Sequence, residues 1–155
     1  MSSHRGQRIF FRRVGEALSP YQLLEAFLKI YIERAHLRIE RLVLNKVPFH
    51  YPPSDYENAP LERLISTFQR HSDNKPLIER LRQATKSRNY IAHRVIEDYM
   101  HHHEKQPRVA SRISRDLKKL EGDGYELVEL LQKELRKVYD LDDFMRELFA
   151  KEKDI

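Results

Sequence analysis

The segment Ser87-Arg88-Asn89-Tyr90-Ile91-Ala92-His93 gathers an arginine, an asparagine and a histidine within six residues. Of the common side chains, only histidine has an ordinary pKa near neutrality, so it can give or take a proton at working pH. Arginine offers a permanently charged fork that grips phosphate. Asparagine can hold a ring nitrogen of histidine or a phosphate oxygen. Together they suit cleavage of RNA without a metal. The ribose 2′-hydroxyl is then the internal nucleophile, His93 removes its proton, and Arg88 neutralises the charge that builds on phosphorus. One histidine is a thin acid–base set, and two chains meeting along this helix would supply both a base and an acid. The same residues also fit an interior Asn–His pair that braces neighbouring helices. A pattern this short does not separate the two readings.

These residues must be positioned by helices. At about 100° per residue, Asn89 and His93 share a face, while Arg88 sits about 140° from His93. A helix start near Arg88 would let its long side chain reach an anion held beside His93. The surrounding pattern is helical nearly throughout. Ser19-Pro20-Tyr21-Gln22 carries a cap, a first-turn proline and a capping-box partner. It predicts a long helix from Ser19 to about Asn45, with Leu23, Leu24, Phe27, Ile30 and Tyr31 on a broad apolar face. Residues 46–60, with four prolines and three aromatics, predict a long loop folded over the bundle by Phe49, Tyr51 and Tyr56. Leu61, Leu64, Ile65 and Phe68 form a clean amphipathic stripe, ended by Ser72-Asp73-Asn74-Lys75. Pro76 opens the next helix, with Leu77, Ile78, Leu81 and Ala84 inward. The motif segment follows, in a helix running to about Glu104. Pro107 predicts a break or kink. Val109, Ile113, Leu117 and Leu120 form another stripe. Gly122-Asp123-Gly124 predicts a stop and a turn, followed by helices over Tyr125–Val138 and about Leu141–Ala150, the last carrying Phe144, Met145, Leu148 and Phe149. The expected architecture is an all-α, antiparallel helical bundle with additional C-terminal helices. It has a basic N-terminal arm at 1–18 and a single domain at 19–155, whose core is about 19–105 and whose C-terminal helices are about 107–150.

Composition narrows the function classes. With 155 residues, 40% hydrophobic and 34% charged, the chain is long enough for one sizeable core. Its lack of cysteine excludes disulfides, thiolate zinc sites, iron–sulfur clusters and a cysteine nucleophile, and fits a reducing, cytoplasmic setting. No apolar run approaches a membrane span, and the first residues, MSSHRGQRIFFRRVG, contain no secretory h-region. The net charge of +5 is unevenly spread. Arg5, Arg8, Arg12 and Arg13 precede the first acid, Glu16. Residues 105–119 hold Lys105, Arg108, Arg112, Arg115, Lys118 and Lys119 against Asp116, and residues 121–155 carry eleven acids against six bases. Two basic stretches could track a phosphate backbone, with Arg5, Arg8, Arg12, Arg13, Arg108, Arg112 and Arg115 as the RNA contacts. Equally, they fit ordinary solvated helix surfaces.

Other candidates carry less chemistry. His101-His102-His103 are consecutive, so on a helix they diverge and cannot all ligate one ion. Asp142-Asp143 and Glu97-Asp98 diverge for the same reason. His50 and Tyr51 fit packing, or stacking on a base. No phosphate-cradling glycine loop, Ser-His-Asp signature or zinc-finger spacing is present, and no metal or cofactor is expected.

The stretch from Pro60 to Val95 resembles the HEPN superfamily, the higher eukaryote and prokaryote nucleotide-binding domains. Its signature is Arg, a polar residue, and His a few positions on, matched here by Arg88, Asn89 and His93. Leu81 to His93, with Ala84 and Ala92, and the long first helix are similar to members of the family. The resemblance covers most of residues 19–100. It implies a HEPN-like bundle, a homodimer with the two motifs facing each other, and metal-independent endoribonuclease activity on an RNA substrate, often in toxin–antitoxin or defence systems. An antitoxin or nucleotidyltransferase partner is implied for some members. Toxins paired with a nucleotidyltransferase carry a tyrosine two residues after the histidine, where this chain has Val95; its next tyrosine is Tyr99. The alternative expectation is a non-catalytic HEPN-type module that binds RNA or nucleotide or docks a partner. A helical duplex-DNA binder is a third.

Overall fold

The computed structural model describes the backbone of residues 2–43, 46–53 and 56–152, with side chains there except at 2–3, 140–145 and 147–152. The described residues form five helices: α1 (Ser2–Val43), α2 (Leu61–Phe68), α3 (Lys75–His93), α4 (Val95–His102) and α5 (Pro107–Glu152). Among the described residues there is no strand. No described helix is long and apolar enough to cross a membrane.

The all-α expectation holds, and the amphipathic stripes fall where the periodicity puts them. Leu61, Leu64, Ile65 and Phe68 are all buried in α2. Leu77, Ile78, Leu81, Ala84 and Ile91 are buried in α3. The Asn74 side chain caps α3 by accepting from the Leu77 N–H at 3.2 Å. Pro107 breaks the chain and opens α5. In α1, Leu24, Leu28, Tyr31 and Ile32 are buried, but Leu23 is 40% exposed.

Three boundaries read from the sequence on the two long helices are corrected, and the motif helix expected to run to about Glu104 is instead broken at Arg94 into α3 and α4. Ser19-Pro20 does not start a helix, because α1 passes through Pro20 unbroken for 42 residues. Residues 2–18 are therefore the first half of α1 rather than an arm, and Phe10, Val14 and Ala17 lie in the core. Gly122-Asp123-Gly124 does not end a helix either, because α5 continues through it for 46 residues and takes in the expected separate C-terminal helix. The side chains of Phe144, Met145, Leu148, Phe149 and the Asp142-Asp143 pair lie outside the described residues.

The departures at Ser19-Pro20 and at Gly122-Asp123-Gly124 share one cause. Pro20 is buried, and it packs where α1 passes closest to Gly124 of α5. A Cβ on Gly124 would stand 2.7 Å from Pro20 Cγ and 2.9 Å from Pro20 Cβ. Beside it, the Tyr21 hydroxyl donates to the Leu120 carbonyl at 2.8 Å. Close packing of two long helices outweighs the local preferences of proline and glycine to break them.

The direction of the helices also differs from expectation. Tyr21 meets Leu120, and further along α1 the Arg34 guanidinium lies 4.8 Å from the centre of the Tyr139 ring. Both partners advance together, so α1 and α5, the most extensively packed pair, run parallel. Against α5, α3 runs antiparallel, since Asn74 meets Glu134 and Arg80 meets Glu126. The expected antiparallel packing thus holds for α3 but not for the two long helices. The α3–α4 arm carries the chain back before α5 begins, which forces α5 to repeat the direction of α1.

Candidate active site

The motif lies on the last two turns of α3. Arg88 is in mid-helix, so the helix start expected near it is absent. The helix ends at His93; the Arg94 N–H still bonds to the Tyr90 carbonyl at 2.9 Å, but its φ of −118° (ψ −36°) is wide of the regular helical value. Buried Ile91 and Val95 anchor the two sides of this break in the core. The backbone around His93 is therefore held while its side chain faces outward.

Within one chain, Arg88 and His93 do not share a crevice. Arg88 turns toward α1, where its Nε lies 3.6 Å from Glu25 Oε1. His93 is exposed and lines an open cleft of ≈ 420 Å³ with Lys86, Asn89, Tyr90 and Arg94. Asn89 links the two sides. It lines the cleft, and its amide oxygen accepts from Arg88 Nη1 at 3.4 Å. The reading of Asn89 and His93 as an interior bracing pair is overturned, because both side chains are exposed.

A second cleft, ≈ 470 Å³, opens between α2 and α3. It is lined by Glu62, Ile65, Ser66, Arg82, Thr85, Lys86 and Asn89. Lys86, Arg82 and Arg94 were not singled out from the sequence. The available signal was the spacing Arg82, Lys86, Asn89, His93, which repeats every three or four residues down one helical face. Glu25 had no such signal, because its partner is far away in sequence.

The two basic stretches lie at the same end of the molecule, on the opening turns of α1 and α5. Arg5, Arg8, Arg12, Arg108, Arg112 and Arg115 are exposed and Arg13 is half-buried. Arg12 is engaged with Glu16 at 2.8 Å. Burial, with help from Asp98 and Asp116, pushes the Tyr90 hydroxyl above its ordinary pKa, and the positive charge of Arg112 pulls against them.

The other candidate histidines form no second acid–base cluster with His93. His101 and His102 rings diverge, 6.0 Å apart at 73°. His103 stacks on Tyr99, which in turn stacks on Phe10 at 3.6 Å. Among the described residues, no group of three His, Cys, Asp or Glu could hold a metal ion. Tyr51 stacks on buried His36 at 3.7 Å, so this part of the 46–60 loop closes over α1 as expected. No protein-family model, curated protein or solved structure matches the chain.

Proposed function

We propose that this chain is a HEPN-type, metal-independent endoribonuclease that works as a homodimer. The observation that carries the reading is the exposed His93 imidazole, set in a cleft with Asn89, Lys86 and Arg94, with Asn89 in contact with Arg88. A histidine placed for packing alone would not need a cationic, solvent-open surround.

In the proposed reaction His93 takes the proton of a ribose 2′-hydroxyl. The oxygen attacks the adjacent phosphorus, the P–O5′ bond breaks, and a 2′,3′-cyclic phosphate forms. The 5′-oxygen leaves with a proton given by the second histidine of the dimer. Arg88 stabilises the charge on the phosphoryl oxygens after exchanging Glu25 for the phosphate, and Asn89 orients Arg88 and the phosphate. The basic ends of α1 and α5 recruit RNA. A role as a toxin or defence effector held in check by a partner is consistent with such an activity.

One observation favours a second reading, a non-catalytic module that binds RNA or docks a partner: Arg88 is already ion-paired and stands outside the His93 cleft. A single assay separates the two. Purified wild type, His93→Ala and Arg88→Ala are incubated with end-labelled RNA in chelator, and the product ends are mapped. Wild type is expected to leave 2′,3′-cyclic phosphates, and each substitution is expected to lower the rate by about 10²–10⁴-fold. Intact RNA after incubation with wild type overturns the nuclease reading.

A further inference from the structure

We infer that the groove between α2 and α3 is the track along which a single strand of RNA runs away from His93. This inference rests on the reading of His93 as the cleavage site. The two clefts adjoin along α3, with Lys86 and Asn89 on the border of both. Along them, Arg82, Lys86, Asn89 and His93 occupy one face of α3 over about 16 Å of helix rise.

The chemistry of the lining matches a phosphodiester strand. The Arg82 guanidinium is held by the neutral Gln69 amide oxygen, which orients it without cancelling its charge. Lys86 and Arg94 are exposed. The hydroxyls of Ser66 and Thr85 are committed to their own helix, donating to the Glu62 carbonyl at 3.0 Å and the Leu81 carbonyl at 3.3 Å. The cations and the Asn89 amide are therefore the donors left to meet phosphate oxygens. Ile65, 2% exposed, gives the groove an apolar floor. Glu62 is the one carboxylate among the lining residues. It opposes a phosphate at its own position and offers an acceptor to a ribose hydroxyl, a group DNA lacks.

The test is binding, measured apart from cleavage. His93→Ala protein is titrated into a labelled 12-nucleotide single-stranded RNA by fluorescence anisotropy at several salt concentrations, with and without Arg82→Ala and Lys86→Ala. The double substitution is expected to weaken binding at least tenfold and to lower the salt slope by about 1.4, roughly 0.7 per lost phosphate contact. Arg82→Lys with Lys86→Arg is expected to restore most of the affinity. Lys133→Ala with Arg136→Ala, exposed on α5 away from the groove, is expected to leave binding within twofold. The inference is overturned if Arg82→Ala and Lys86→Ala leave affinity and slope unchanged, or if duplex RNA or DNA of equal length binds as well and loses as much. RNA bound through Arg82 and Lys86 but never cut by wild type would sink the nuclease reading and leave the track standing. RNA cut by wild type regardless of Arg82 and Lys86 would do the reverse.

Discussion

Arg88 and His93 leave the same helix on different sides, and Glu25 holds Arg88 there at 3.6 Å. In the proposed reaction, Glu25 competes with substrate phosphate for the guanidinium. The pair is partly solvated, so its loss should change stability by no more than about 1 kcal/mol. Glu25→Gln should therefore lower the KM for RNA several-fold with little change in melting temperature, and a raised KM would show that Glu25 aids the grip instead. A second carboxylate shapes the fold. Glu134 is 7% exposed. Burial pushes its pKa up, but hydrogen bonds from Lys137, Asn74 and Ser72 outweigh burial and hold it below its ordinary value of 4.5. Folded Glu134 thus binds its proton less readily than the unfolded chain does. The stability this confers is present above the ordinary carboxylate range and is lost as pH falls through the depressed value. Thermal melts across that range should show Glu134→Gln well below wild type at neutral pH, with the gap closing in acid. A gap that does not change with pH would mean that the ionised form is not what counts.

At the level of elements, the two glycines of α5 make a paired test. Gly124→Ala forces a Cβ to within 2.7 Å of the rigid Pro20 ring and should destabilise by about 1–3 kcal/mol. Gly122→Ala meets nothing within 4 Å and should stabilise by about 1 kcal/mol through helix propensity. Equal effects from the two, read by denaturant unfolding, would contradict the close α1–α5 approach. The same pair explains what was legible in the sequence. The α2 stripe and the Asn74–Pro76 start of α3 were readable because local pattern and tertiary burial agree there. Pro20 and Gly124 misled because each is a breaker by local rule but a spacer in the interface. The motif residues and the angle of about 140° between Arg88 and His93 were legible, while the Glu25 partner of Arg88 was not, because that ion pair joins α1 to α3 across a long stretch of chain.

On the scale of the molecule, the parallel course of α1 and α5 sets both basic stretches at one end, where an antiparallel pair would have put them at opposite ends. It also makes the first turns of α1 part of the core. Phe10 is 2% exposed and stacks on Tyr99 at 3.6 Å, so Phe10→Ala should cost about 3–5 kcal/mol. Removing residues 2–13 should lower the melting temperature at least as much. A truncated chain as stable as the full one would restore the view of this segment as a loose arm. The topology has a further consequence for synthesis. The Tyr21–Leu120 bond spans 99 residues, so the first helix emerges from the ribosome long before its main companion exists. At typical translation speeds that wait is roughly 5–20 s, and through it the oily flank of the nascent segment stands open to chaperones, to neighbouring chains, or to premature collapse.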